Sequence, residues 1–133
     1  MTFQRIERRH VRRHWPQAQP WIAEAVVTSR GKFTKDWFRD RLVAGDMQLW
    51  LLEDGDTFGV VVTQVYDYPA NRCCLIRIAT GRNVGDAIEG GIRQIEDWAR
   101  SQGCHAMELI ARLGWKRRLT DYDMTHVVLE KQL

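Results

Sequence analysis

The chain has 133 residues, of which 28% are charged and 44% apolar, and its formal net charge is +3. This length suits one domain (residues 1–133) with a buried core, and no apolar run reaches the roughly 20 residues of a membrane span. The N-terminus lacks the apolar core of a signal peptide, and the three cysteines have no metal-ligand spacing. We therefore expect a cytoplasmic protein with free thiols, no metal site and no membrane partner.

Basic residues are concentrated near the N-terminus: residues 1–41 hold ten of the 20 Lys and Arg but four of the 17 Asp and Glu. Residues 3–15 are predicted to form a basic helix that ends at Trp15-Pro16, because the residue before a proline avoids the helical conformation. Such an arm (residues 1–15) could contact nucleic acid or another anion. No aromatic interleaving or DNA-binding motif accompanies it, so a solvated helical face is the preferred interpretation.

Two further helices are predicted before the pattern changes. The first begins at Pro20 and stops at Gly31, and the second has Thr34 as its N-cap and ends at Gly45. Their apolar sides comprise Trp21, Ile22, Ala25, Val26, Trp37, Phe38 and Leu42.

After Gly45 the spacing of apolar residues becomes typical of β-strands. Strands are predicted at residues 47–53, 57–66 and 73–79, with turns at Asp54-Gly55-Asp56 and at residues 69–72. Because the turns are short, the three strands form an antiparallel meander.

An amphipathic helix is predicted from Val84 to Gln102, followed by a strand at 106–111, a short helix at 115–120 and a last strand at 124–131. The long helix implies that the 106–111 strand pairs parallel with an earlier strand. The order predicts an α+β domain of the three-layer type, with a mixed, mostly antiparallel sheet flanked by helices.

The turn between the third strand and the long helix is a candidate binding site. A strand that enters a helix through small residues exposes the unpaired N–H groups of the first helical turn, which attract phosphate. The residues are Arg82-Asn83-Val84-Gly85-Asp86-Ala87.

This loop and the element order resemble the GNAT N-acetyltransferase superfamily, whose members bind acetyl-CoA at a (Gln/Arg)-x-x-Gly-x-(Gly/Ala) loop before a long helix. The resemblance implies that the backbone N–H groups of residues 82–87 hold the CoA pyrophosphate. It also implies that Ile78 and Ala79 offer backbone groups to the pantetheine arm, where their strand splays from the 106–111 strand.

Over residues 20–131 the chain is more narrowly similar to small phage and prophage proteins with a GNAT-like fold. The first strand that is usual in the superfamily is not evident, because apolar and polar residues do not alternate along residues 1–15. The shared segments include Gln48-Leu49-Trp50, Val62-Thr63, Tyr68-Pro69, Ile95-Glu96-Asp97-Trp98-Ala99-Arg100, Gly103-Cys104 and residues 112–119. A basic cluster either contacts the phosphate end of CoA or forms the wet face of a short helix: Arg112, Lys116, Arg117 and Arg118.

Two departures from the family bear on catalysis. Asp86 stands where an apolar residue is usual, and Ile110 and Ala111 stand where many members have the Tyr that protonates the departing thiolate. The remaining candidates are Glu108, as the base that deprotonates the amine directly or through water, and Tyr122, as a replacement acid. Each also has a structural interpretation, Glu108 as an exposed strand residue and Tyr122 as a packed one.

Two functions follow from the resemblance. One is an acetyl-CoA-dependent N-acyltransferase whose acceptor amine, on a small molecule or a protein, is unknown. The other is a catalytically inactive phage or prophage accessory or interaction protein that keeps the GNAT shape. Nucleic-acid contact through the Arg-rich N-terminus is a third, more distant hypothesis.

Overall fold

The computed structural model describes residues 1–112 and 114–133 and contains one five-stranded sheet in the order β1-β2-β3-β4-β5. The strands are β1 (Thr2–Ile6), β2 (Gln48–Asp54), β3 (Thr57–Asp67), β4 (Arg72–Arg82) and β5 (Ala106–Leu109). The helices are α1 (Val11–Val26), α2 (Lys35–Ala44), α3 (Ala87–Ser101) and α4 (Gly114–Arg118). Four strands are antiparallel neighbours and β5 joins β4 in parallel, which confirms the predicted α+β class. None of the described helices is long and apolar enough to cross a bilayer.

The prediction of a basic helix over residues 3–15 is wrong at its beginning. β1 pairs along β2 as an edge strand. Three of its five residues are exposed and Ile6 alone in the strand is fully buried, so the apolar alternation is weak. Phe3 stacks on Trp50 with ring centroids 5.6 Å apart, and the Arg5 guanidinium lies 5.7 Å from the centre of the Trp98 ring. The first strand that the resemblance implies, and that the sequence did not make evident, is therefore present.

Pro16 does not end the first helix. α1 continues through both Pro16 and Pro20, which lie on its exposed side. The carbonyl groups that lose an N–H partner at each proline therefore face water, which limits the cost of the two missing bonds. The predicted helix from Pro20 is the second half of this longer one. The opposite side of α1 buries Val11, Ala18 and Ile22.

The helices cover the sheet on both sides. α1 and α2 pack on the side called here the α1–α2 face, formed by Leu49, Leu51, Val60, Val62 and Ile78. α3 and α4 pack on the α3 face, formed by Trp50, Val61, Cys74 and Ile76. The core thus lies in two layers, and the sheet separates them.

The predicted start and stop signals of the middle of the chain are confirmed. Thr34 Oγ1 accepts a hydrogen bond of 3.1 Å from the backbone N–H of Trp37, and Gly45 ends α2 with φ +86°. Gly55, with φ +58°, lies in the tight turn that joins β2 to β3. The three thiols are free, as predicted.

The strand predicted at residues 124–131 is wrong. In the described chain these residues form no regular element, and Leu129 is 92% exposed. Alternating apolar residues do not make a strand without a neighbouring backbone to pair with. This segment instead contacts the turn after α1, where Glu130 pairs with Arg30 and Lys32.

Candidate active site

A gap opens in the sheet between β4 and β5. The two strands pair from Cys73↔Ala106 to Ile76↔Leu109, and beyond this point, within residues 1–112 and 114–133, residues 77–82 of β4 pair only with β3. The register between β3 and β4 shifts beside the same point, because Thr63 pairs with Ile76 whereas Val62 pairs with Ile78. Arg77 is the extra residue of this bulge. One edge of β4 thus faces the gap along six residues.

The loop of residues 82–87 lies at the end of this gap. Asn83 (φ +55°) and Gly85 (φ +42°) both have left-handed backbone conformations. Among the described residues, the N–H groups of 83–86 donate to no protein acceptor, whereas Ala87 N–H donates to the Val84 carbonyl at 2.8 Å. A Cβ atom built on Gly85 would meet nothing within 4 Å. A ligand can therefore approach a row of free amides at the start of α3.

Two hydrogen bonds tie the loop to the β2–β3 hairpin. Thr57 Oγ1 donates to the Asn83 carbonyl at 3.1 Å, and Arg82 Nε donates to the Asp56 carbonyl at 2.8 Å. The Arg82 side chain is thus used to anchor the loop, while its backbone remains part of it.

Gly81 allows the loop to lie close to the sheet, because it has no side chain. A Cβ atom at this position would lie 2.1 Å from the Phe58 carbonyl oxygen and 2.7 Å from Val84 Cγ1. Val84 packs down into the space that the missing side chain leaves. Close packing of this kind fixes the loop before any ligand binds.

Arg118 compensates the charge of Asp86 beside the loop. The Asp86 side chain is 98% exposed and does not cap α3, but Arg118 Nη1 lies 3.3 Å from Asp86 Oδ1 and 3.5 Å from Glu89 Oε1. The guanidinium comes from α4, so Arg118 is the member of the predicted basic cluster that reaches the loop. An anion at the free amides would meet this guanidinium as well as the two carboxylates.

Glu108 lies on the α1–α2 face of the gap. Its neighbours in β5, Met107 and Leu109, pack on the α3 face, so the alternation of a strand turns Glu108 to the other side. Tyr68 donates to Glu108 Oε2 at 3.2 Å, and Glu108 Oε1 is buried with no partner in the described chain. Burial, and secondarily this carboxylate, raises the pKa of the Cys73 thiol. Glu108 therefore has one oxygen held by a hydrogen bond and one free to accept a proton.

Tyr122 lies elsewhere. Its ring packs in the cluster on the α3 face, and its hydroxyl donates to Glu96 Oε2 at 2.7 Å. Burial and then the Glu96 carboxylate raise the Tyr122 pKa. The sheet lies between Tyr122 and Glu108, so the structure does not bring the two candidates together.

Arg77 was not among the residues singled out by sequence reasoning. Its guanidinium lies 5.6 Å and 5.9 Å from the ring centres of Phe33 and Trp37, and Nε and Nη2 both donate to Gln64 Oε1 at 3.0 and 2.8 Å. One signal could have found it: Arg77 is the only charge in the otherwise apolar run of residues 73–79.

Comparison with solved structures finds the same architecture over 98 to 99% of this chain. A GCN5-related N-acetyltransferase from Ralstonia eutropha JMP134 matches with TM-score 0.69 and 13% identity, covering 99% of this chain and 97% of that one. A predicted acetyltransferase from Clostridium acetobutylicum, solved with acetyl-CoA, matches with TM-score 0.65 and 11% identity over 99% and 94%. A ribosomal-protein-alanine N-acetyltransferase from Brucella melitensis biovar Abortus 2308 matches with TM-score 0.63 and 13% identity over 98% and 100%. No protein-family model and no curated protein matches the sequence. The chain therefore has the fold of the GNAT acetyltransferases.

Proposed function

We propose that the protein is an acetyl-CoA-dependent N-acetyltransferase. The observation that carries this proposal is the row of free amides at residues 83–86, placed at the end of a gap between β4 and β5. The acetyl-CoA in the structure from Clostridium acetobutylicum supports the same ligand class.

The cofactor would occupy the loop and the gap together. Within the loop of residues 82–87 (Arg82, Asn83, Val84, Gly85, Asp86 and Ala87), the N–H groups of residues 83–86 would hold the pyrophosphate, since Arg82 belongs to β4 and Ala87 N–H already donates to the Val84 carbonyl. Gly85 fits this role because its open side lets a phosphate approach the backbone. The edge of β4 at Ile78 and Ala79 would pair with the pantetheine arm, since β5 has already ended there. Bound acetyl-CoA supplies a thioester: an N–C bond to the amine replaces its C–S bond, leaving an acetamide, the CoA thiol and one proton.

Glu108 would act as the base. An amine is mostly protonated at neutral pH and must lose a proton before it can attack. Glu108 Oε1 is buried and has no partner among the described residues, so it can accept that proton directly or through a water molecule. Tyr68 holds the other oxygen in place.

The proton donor for the thiolate stays a prediction. Tyr122 would have to leave Glu96 and the α3 face to reach the gap, because its hydroxyl is already engaged there. A Tyr122→Phe variant tests this directly. If Tyr122 is the acid, its loss should lower kcat strongly; if it is only packed, the variant should lose stability but keep kcat.

Titration calorimetry with acetyl-CoA, followed by CoA release in the presence of amines, tests the main proposal. We expect saturable binding, CoA release with at least one amine, and a large loss of kcat in Glu108→Gln with unchanged cofactor affinity. Absence of binding and of thermal stabilisation at millimolar acetyl-CoA would remove the proposal. Binding without turnover over a broad amine panel would favour the alternative, an inactive accessory protein of phage or prophage.

Deleting the N-terminal arm would not test the nucleic-acid hypothesis cleanly, because β1 is part of the sheet. Arg5 lies over Trp98, and Arg8 Nε donates to the Val43 carbonyl at 3.0 Å. Arg12 and Arg13 on α1 are the better candidates, because both are exposed and neither makes a side-chain hydrogen bond or ion pair within the described residues. A salt-sensitive affinity for duplex DNA that disappears when both are changed to Glu would support this hypothesis.

A further inference from the structure

Arg77 is a partly buried cation without a counter-ion. Burial lowers its pKa, and the only groups that act in the opposite direction are the nearby hydroxyls of Tyr66 and Tyr68. In the described ranges no carboxylate pairs with it. By contrast, Arg72 on the same strand pairs with Asp67, at 2.7 Å. Removing a charge from water without a partner is costly, and an anionic ligand beside Arg77 would offset that cost.

One edge of the Arg77 guanidinium is free. Nε and Nη2 donate to the same Gln64 oxygen, and the flanking rings of Phe33 and Trp37 fix the orientation of the guanidinium plane. A guanidinium has five N–H donors, so the Nη1 and Nη2 groups keep donors for a ligand. This edge matches the two oxygens of a carboxylate.

Arg77 and Glu108 lie on the same side of the gap. Glu108 is paired in register with Leu75, and Arg77 follows two residues later on β4. Strand spacing and rise place the two Cα atoms about 8 Å apart. Tyr68 is bonded to Glu108 and close enough to Arg77 to affect its pKa, which also places their side chains around a common space. One small molecule can contact both.

The other cations nearby share a carboxylate. Arg30 and Lys32, in the turn between α1 and α2, both pair with Glu130. The rings of Phe33 and Trp37 border a hollow of about 330 Å³ beside Lys32. The aromatic surroundings favour an acceptor with an apolar body, and in the described part of the chain Arg77 is the cation of this group that pairs with no carboxylate.

We propose that the acceptor is an amino acid, whose carboxylate binds the free edge of Arg77 while its amine faces Glu108. This inference rests on the proposed acetyl transfer and adds the class of acceptor to it. An α-amino acid has both groups on one carbon, which suits the short distance between the two side chains.

Paired probes that differ only in the carboxylate test the inference. CoA release is measured with L-phenylalanine and with 2-phenylethylamine, for the wild type, Arg77→Gln and Arg77→Lys. Arg72→Gln is the matched control, since it removes an arginine from the same strand at a site with its own counter-ion. Circular dichroism and thermal unfolding show that each variant is folded.

We expect kcat/KM to be at least tenfold higher for phenylalanine than for phenylethylamine. Arg77→Gln should raise KM for phenylalanine at least tenfold, change kcat little, and leave phenylethylamine unaffected. Arg77→Lys should recover part of the loss, and Arg72→Gln should behave as the wild type. A residue that only packs between Phe33 and Trp37 would instead affect both probes equally, and that result would overturn the inference while acetyl transfer stands.

A binding measurement separates the two proposals. N-acetyl-L-phenylalanine and N-acetyl-2-phenylethylamine are titrated into the protein without cofactor, in the wild type and in Arg77→Gln. Binding of the first alone, lost in Arg77→Gln, supports recognition of the carboxylate even if no acetyl transfer is found. Equal binding of the two, or no binding of either, counts against it whatever the acetyl-CoA experiments show.

Discussion

Gly85→Ala separates binding at the loop from stability of the fold. Gly85 has φ +42°, a conformation that costs an L-residue about 1 to 2 kcal/mol, and a methyl group there meets no protein atom within 4 Å. The stability loss should therefore stay near that strain, which lowers Tm by about 2 to 8 °C for a domain of this size.

The same methyl group would lie where the phosphate must approach. Amide hydrogen bonds to a charged group are worth about 1.5 to 3 kcal/mol each. Loss of one such bond predicts that the Kd for acetyl-CoA rises about ten- to hundredfold. The binding free energy should thus fall by about as much as the stability or somewhat more, and the control variant below shows whether the two losses are independent.

Gly31→Ala is the matched control, because Gly31 also has a positive φ (+80°) and a methyl group added there would meet nothing within 4 Å. It lies after α1, away from the loop. Calorimetric titration and thermal unfolding of both variants give the comparison. Wild-type affinity in Gly85→Ala, or an equal loss of affinity in Gly31→Ala, would refute the assignment of the free amides to the cofactor.

Three further outcomes follow from contacts elsewhere. Thr63→Val should lower the free energy of unfolding in urea by about 1 to 3 kcal/mol, because the buried Trp50 indole N–H loses the hydroxyl to which it donates at 3.0 Å. Arg93 holds the pKa of Asp121 below its ordinary value of 3.8. The pair therefore stabilises the fold above about pH 4, and this stabilisation is lost as the pH falls through the lowered pKa. Asp121→Asn should accordingly make Tm fall less on acidification than it does in the wild type. Gly81→Ala should lower Tm and weaken acetyl-CoA binding together, because its methyl group would overlap the backbone carbonyl of β3 at 2.1 Å.

Each of these has a control on the same chain. Thr63→Ser keeps the hydroxyl and should retain most of the stability. Asp123→Asn removes a carboxylate two residues from Asp121, and Tm should then fall on acidification as it does in the wild type. Gly90→Ala lies inside α3 with open space around it and should raise Tm, since alanine favours a helix by about 1 kcal/mol. Equal behaviour of a variant and its control would contradict the corresponding contact.

The middle of the fold is predictable because local signals agree with tertiary structure there. The α3 sequence buries one stripe with a helical period, and β2 to β4 carry turn residues at each end. The long crossover helix correctly indicates that β5 pairs in parallel. At these places the propensity, the apolar pattern and the turns all favour the same element.

The two ends of the chain are less predictable because their structure depends on distant partners. β1 is polar, and its strand conformation comes from pairing with β2 more than 40 residues later. Pro16 is a strong local signal for a helix end, but the buried stripe from Val11 to Ile22 outweighs it. Residues 124–131 show the converse: their apolar alternation predicts a strand, but in the described structure β5 does not pair with this segment and no strand forms.

The loop and Glu108 could be proposed from the sequence, whereas Arg77 could not. The loop pattern is local, and Glu108 follows from the strand that contains it. Arg77 depends on a bulge of one residue, which changes the side of the sheet to which the second half of β4 turns. Neither propensity nor composition predicts the position of such a bulge.

The unpaired edge of β4 has a consequence for hydrogen exchange. Along residues 77–82, amides that point toward β3 are held in the ladder, while those that point into the gap meet solvent. Fast and slow exchange should therefore alternate from one residue to the next within this one strand, in the centre of an otherwise protected sheet. A ligand in the gap would slow exchange only at the amides that point into it. Hydrogen exchange along β4 would therefore show whether the gap is occupied.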